Sequence, residues 1–141
     1  MALSIFAVGV LRGPYRALAD DYLDRLRPRL PVTVREFRAL DALRRALART
    51  PARRILLDER GETFDTRGFH RFVSEQVRAR DGAVFCLGGS DGFEDRDRRK
   101  AHAILSLSRL TLPHRLARIV LLEQLYRVST IEAGHPYHRD G

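Results

Sequence analysis

An α/β sandwich around a mostly parallel sheet is the fold class this sequence predicts, and three observations carry it. Five short apolar, β-rich runs alternate with segments of helical spacing along the whole chain. The length of 141 residues suits one domain, residues 1–141. The balance of 44% hydrophobic and 31% charged residues is that of a globular chain and not a disordered one. A chain of this size buries roughly 70% of the surface its unfolded form exposes, enough to fold without a disulfide or a structural metal.

The elements follow in order. Leu3 to Val10 reads as a buried strand. Pro14 to Leu26 has apolar or aromatic residues at helical spacing, with Pro14 suited to a first turn. Val32 to Phe37 is β-rich, and Asp41 is placed to cap a short helix through Arg49. Arg54 to Asp58 is a third strand, and Glu59-Arg60-Gly61-Glu62 reads as a turn. Asp65 or Thr66 caps a helix to Arg80 with Phe69, Phe72, Val73 and Val77 on one face. Ala83 to Leu87 is a fourth strand, followed by Gly88-Gly89-Ser90-Asp91-Gly92 and a charged helix from Glu94 to His102. Ile104 to Leu107 is a short fifth strand. The last helix runs from His114, after Pro113, to Ala133, and ends at Gly134. That helix is apolar almost all round, so it needs cover on two sides, the sheet and something more. A second copy of the chain is the economical second cover, which predicts a homodimer.

Composition excludes several classes. The longest apolar runs, Ala83–Leu87 and Ile119–Leu122, fall far short of the ~20 residues of a membrane span. No basic segment precedes the apolar stretch of Met1–Gly9, so it is a poor secretion signal and a cytoplasmic chain is expected. Cys86 is the one cysteine, which excludes an internal disulfide and a multi-cysteine metal site. It lies inside an apolar strand and reads as a core residue. No His or carboxylate cluster suggests a metal. The net charge is +8, and every basic residue but Lys100 is Arg. Residues 1–80 carry 17 basic and 10 acidic side chains, and residues 81–141 carry 9 and 8. Biased composition explains the arginines; so does a polyanion partner on one side of the molecule, because guanidinium forks suit phosphate.

Ligands of open α/β sheets sit at the carboxyl ends of strands. Two loops at such ends stand out. Gly88 to Gly92 is either a tight turn or a place of close backbone approach to a ligand. Ser108-Arg109-Leu110-Thr111-Leu112-Pro113 is rich in leucine for a loop, as packing or as the wall of a pocket for a flat ring. The sequence lacks GxxxxGK[ST], a GxGxxG after the first strand, and Gly-x-Ser-x-Gly, which argues against nucleoside-triphosphate, dinucleotide and serine-hydrolase chemistry. The tail, His135-Pro136-Tyr137-His138-Arg139-Asp140-Gly141, is either an inert docked terminus or a site contribution. In the second reading its rings stack on a base, Arg139 holds phosphate, and Tyr137 or His138 sits near the reacting atom. His114 adjoins the leucine-rich loop, whereas His70 and His102 fall on expected helix surfaces.

Four blocks carry a resemblance to a known family. They are Gly88 to Gly92, Ser106 to His114, Glu123-Gln124-Leu125-Tyr126-Arg127, and His135 to Arg139. In order and spacing they resemble the bacterial large-subunit ribosomal RNA methyltransferases that modify nitrogen 3 of a pseudouridine, members of the SPOUT class of trefoil-knotted methyltransferases. Ala7-Val8-Gly9 and Leu57 to Gly61 extend the resemblance more loosely to the N-terminal half. Asp91 stands where Glu or Asn is common, and Arg12 replaces a frequent lysine. The resemblance implies an S-adenosylmethionine-dependent homodimer with a knot over about residues 84–141. The cofactor pocket it implies involves Leu57, Gly89, Ser108, Arg109, Leu110, Thr111, Leu112 and Pro113. No metal is implied, because the sulfonium methyl is already activated. The remaining work is to align the ring nitrogen with the methyl group and to favour loss of the imide proton. Tyr137, His138 and Arg139 are the candidates near the base, and ribosomal RNA or the ribosome is the expected partner. A transfer-RNA methyltransferase of the same class and a non-catalytic basic RNA-binding protein are the alternatives.

Overall fold

The computed structural model describes residues 3–139; Met1 and Ala2 of the leading segment, and Asp140 and Gly141 of the tail, lie outside them. Five strands and five helices alternate: β1 (Leu3–Val8), α1 (Gly13–Leu26), β2 (Val32–Phe37), α2 (Leu40–Ala48), β3 (Arg53–Thr63), α3 (Thr66–Arg78), β4 (Ala83–Leu87), α4 (Asp95–Lys100), β5 (Ala103–Ser106) and α5 (His114–Glu132). The strands form one sheet in the order β2-β1-β4-β3-β5, and every pairing in it is parallel.

Alternation along the strands divides the core. Leu3, Ile5 and Ala7 of β1 and Phe85 of β4 face one layer, built from α1, α3 and α5. Phe6, Val84, Cys86 and Leu56 face the other, covered by Leu43 and Leu47 of α2 and by Phe93. All five residues of β4 are buried, as expected of a central parallel strand with helices on both faces. Burial also pushes the Cys86 thiol up to about 12, which leaves it an inert core group.

The helix starts follow local chemistry. Asp65 caps α3 by accepting from Gly68 N–H at 2.8 Å. Pro14 sits in the first turn of α1. Asp41 departs from expectation: it lies in the first turn of α2, whose cap position is Ala39. There its charge still faces the exposed amide end of the helix. Val77 is exposed, and buried Gln76 takes its place on the inner side of α3, accepting from Arg53 Nε at 3.0 Å.

Two larger corrections concern β3 and α5. The segment read as a turn, Glu59 to Glu62, lies inside β3. Leu57 and Glu62 both pair with Leu105, so residues 58–61 bulge out and the strand then rejoins β5. At Gly61 the two backbones nearly touch: a Cβ there would lie 2.6 Å from the carbonyl carbon and oxygen of Ile104 and from the Leu105 nitrogen. Helix α5 finds its second cover within its own chain. Leu121, Leu122 and Leu125 are 0% exposed, packed in one cluster with the sheet, α1 and α3. The all-round apolar pattern therefore does not itself require a second copy.

Gly61→Ala is expected to cost about 1–3 kcal/mol, because backbone and not a flexible side chain would have to move. Urea unfolding of the variant against wild type checks this.

Candidate active site

In a wholly parallel sheet all strand carboxyl ends share one edge, and here three of them open into one cavity. Its volume is about 530 Å³, within the range of roughly 300–1,000 Å³ usual for small-molecule sites. The walls are residues 57–60 after the regular part of β3, residues 87–93 after β4, and the loop from β5 into α5, with Arg98 and Ala117.

The glycine loop is shaped by its own backbone. A Cβ on Gly88 would lie 2.9 Å from the Gly92 carbonyl carbon, and Gly92 N–H donates to the Gly89 carbonyl at 3.3 Å. Gly89 has φ +79°, and a Cβ there would lie 3.1 Å from Val8 Cγ1 on the neighbouring strand. The glycine requirement at 89 thus comes from left-handed backbone and the flank of β1. The leucine-rich loop is braced by two serines. Ser106 Oγ donates to the Ser108 carbonyl at 2.8 Å, and Ser108 Oγ accepts from Leu110 N–H at 2.9 Å. This leaves Leu110 76% exposed at the rim, with Leu112 deeper in the wall.

Charge is arranged behind these walls. Asp58 Oδ2 meets Arg98 Nη1 at 2.8 Å, and its Oδ1 accepts from Arg60 N–H at 2.9 Å. Arg98 also donates to the Phe93 carbonyl at 3.0 Å and bonds Asp95 at 2.5 Å. The Arg98 hydrogen bond holds the Asp95 carboxyl below its ordinary value. Arg44 grips Asp97 of α4 with two bonds of 2.7 Å, and that bond is the largest cause of the lowered Asp97 value. Helix α4 is therefore locked on one side to α2 and on the other to the cavity wall.

Seven of the eight residues expected around the cofactor line this one cavity: Leu57, Gly89, Ser108, Leu110, Thr111, Leu112 and Pro113. Arg109 does not line it. His114 does, as its place beside the loop suggested. Asp58 and Arg98 were missed, and only Asp58, at a strand end, had a local signal. The two histidines set aside have partners: His70 Nε2 lies 2.6 Å from Glu132 Oε1, and His102 Nδ1 accepts from Arg54 N–H at 2.8 Å.

Among the described residues of the tail, His135 to Arg139, none lines the cavity. Tyr137 packs edge-on against Tyr126 with ring centres 4.7 Å apart, beneath the Arg127 guanidinium at 4.9 Å. Its hydroxyl donates to Glu123 Oε2 at 2.9 Å, and Arg127 Nη1 lies 3.1 Å from His138 Nδ1. Arg139 is exposed. Tyr126 lies twelve positions beyond His114 on α5, about 18 Å along the axis at 1.5 Å per residue. The block Glu123 to Arg127 is thus the cradle of the tail.

Comparison with known proteins bears on this arrangement. The family model described as "Predicted SPOUT methyltransferase" matches residues 1–138. The chain is similar to "Ribosomal RNA large subunit methyltransferase H" of Rhizobium meliloti (strain 1021), at 38% identity over 99% of each chain. It is similar to the protein of that name from Bradyrhizobium diazoefficiens at 41% identity, again over 99% of each. Among solved structures, TrmJ from Z. mobilis ZM4 superposes with a TM-score of 0.58 at 13% identity, covering 92% of this chain and 71% of that one. A probable methylase family protein from Haemophilus influenzae Rd KW20 gives 0.54 at 10% identity, covering 94% and 66%. At such identities these two neighbours speak for the fold alone.

The phenol of Tyr137 is pushed up to about 12, first by burial and then by its bond to Glu123. A raised value means that the neutral phenol is the docked form. The tail's hold is full below the ordinary value of 10.0 and is lost as pH rises through about 12. Ultraviolet difference titration should show one of the four tyrosines ionising last, and Glu123→Gln should bring it earlier. Four tyrosines titrating together in the wild type would contradict this docking.

Proposed function

The chain belongs to the SPOUT methyltransferase family, and from that premise we propose that it transfers a methyl group from S-adenosylmethionine to nitrogen 3 of a pseudouridine in large-subunit ribosomal RNA. The observation that carries this reading is the cavity at the ends of β3, β4 and β5, which gathers nearly all the expected cofactor residues. The names of the relatives at 38% and 41% identity support the RNA target. The trefoil knot over about residues 84–141 and a cytoplasmic place of action belong to the same reading.

The residues present fit the cofactor. Leu57, Leu110 and Leu112 offer apolar walls for a flat ring, and the backbone of residues 108–113 offers donors and acceptors at its edge. When bound, S-adenosylmethionine supplies an electrophilic methyl group on sulfur. The chain's own residues have two tasks: to seat the base so that its nitrogen faces that methyl group, and to stabilise negative charge on the base as the imide proton passes to solvent water. His138, with Nδ1 turned to the Arg127 guanidinium, keeps its proton on Nε2. It then acts as a donor to a carbonyl oxygen of the base beside the reacting nitrogen, while Arg139 holds phosphate. Tyr137, bonded to Glu123, anchors the tail.

A tail cradled on α5 beyond Ala117, the last cavity residue of that helix, and lining none of its own cavity serves a second site better than its own. This favours a homodimer in which each tail completes the partner subunit's cavity. Tyr15 and Leu18 of α1 and Leu116 of α5 are the large apolar side chains left exposed on those two adjacent helices, and they suit such an interface.

Labelled S-adenosylmethionine offered with purified large ribosomal subunits and with bulk transfer RNA tests the target. Label in the subunits supports the reading. Label in transfer RNA alone favours the first alternative, and a folded chain that binds neither S-adenosylmethionine nor S-adenosylhomocysteine favours the non-catalytic one. Truncation after Pro136 should leave cofactor affinity within a few-fold and remove most turnover. Gly89→Val, strained in backbone and crowded by Val8, should lose cofactor binding first. Mixed subunits of the two variants should regain activity at one site of the dimer; wild-type turnover by the truncated chain would make the tail an inert terminus.

A further inference from the structure

The ends of β1 and β2 and the first turns of α5 meet in an ion pair between buried Arg118 and partly buried Glu36, neither of which lines the cavity. Arg118 follows Ala117 of the cavity wall and is 3% exposed. Its Nη1 donates to Glu36 Oε2, and its Nη2 donates to the Gly9 carbonyl oxygen at 2.8 Å. Glu36 also accepts from Leu11 N–H at 3.0 Å and from Arg16 Nη1 at 3.4 Å. Burial raises the Glu36 value, but the bonds from Leu11 and Arg118 outweigh it, and the net shift is downward.

These bonds converge on one segment. The β1–α1 connection, residues 9–12, is tied at the Gly9 carbonyl by Arg118 and at the Leu11 amide by Glu36. Gly9 and Gly13, at φ +100° and +57°, flank it, and neither has an atom within 4 Å of where a Cβ would stand. Val10, between the ties, and Arg12, just beyond the second, are exposed. The connection adjoins the cavity, since β1 pairs with β4 through Ala7 and Leu87, and Val8 lies against Gly89 of the cavity wall. A buried Arg–Glu pair adds little stability over an apolar pair of similar volume. What it fixes is geometry, because one planar guanidinium addresses two acceptors at once.

We propose that Arg118 and Glu36 are positioning residues that hold residues 9–12 as a lip of the cavity on which the RNA strand is seated. This rests on the methyl-transfer reading above. On this lip Val10 meets a base or sugar, and Arg12 meets a backbone phosphate.

The test uses the full chain with Arg118→Lys, Glu36→Gln, and the paired replacement Arg118→Met with Glu36→Leu. Hydrogen exchange of residues 9–12 should speed up about tenfold or more when either tie is cut. Affinity for S-adenosylhomocysteine should hold within a few-fold. KM for large ribosomal subunits should rise about tenfold with kcat changed less, the split expected when substrate seating is lost. The paired replacement should unfold within a few degrees of wild type and still show the raised KM, which separates positioning from stability. Unchanged exchange, an unchanged KM, or a loss of cofactor affinity that matches the loss of activity overturns the proposal alone. A wild-type chain that leaves large subunits unmethylated overturns the methyl-transfer reading and this proposal with it.

Discussion

Parallel pairing on both sides of β4 is the constraint on which the rest of the structure depends. A strand paired to β1 and β3 and covered by helices on both faces has no exposed backbone and must be apolar throughout, as Ala83 to Leu87 are. With every neighbour running the same way, each strand returns through a helix, and each carboxyl end falls on the same edge. The cavity is a consequence of that geometry. The bulge of β3 at residues 57–60 and the loops after β4 and β5 meet because those strands are adjacent in space, although they are far apart in the chain.

Helix α5 then links the two ends of the molecule. Its first turn carries His114 and Ala117 into the cavity, and its middle buries Leu121, Leu122 and Leu125 while Glu123, Tyr126 and Arg127 cradle the tail. Burying each of those leucines is worth roughly 1.5–3 kcal/mol relative to exposure, so the helix is a rigid spacer. Cavity and tail are thereby held apart within one chain.

Arginine does two kinds of work in this chain. Arg98 braces the cavity wall, Arg44 holds α4, Arg118 ties the β1–α1 connection and Arg127 holds the tail. Exposed arginines such as Arg12 and Arg139 are those the proposed function assigns to RNA phosphate. Composition alone did not separate the two, because a guanidinium that braces a loop and one that waits for phosphate are the same residue.

The order of elements, the helix cap at Asp65, the glycine and leucine-rich loops and the family blocks were all legible in the sequence, because each rests on periodicity or on residue types close together in the chain. The bulge at residues 58–61 was not, since the need for Gly61 comes from the backbone of β5, and the same four residues read locally as a turn. The Arg98–Asp58 and Arg118–Glu36 pairs, 40 and 82 positions apart, follow no spacing rule. The apolar circumference of α5 was legible, but its cover was not, because an all-round hydrophobic helix fits a neighbouring helix and a second subunit equally well. By itself the sequence determined the alternating pattern, the parallel class and which loops stand at strand carboxyl ends. Only the tertiary structure decided which residues share the cavity, which arginines are structural and where the tail lies, because these are fixed by which surfaces meet when the sheet closes.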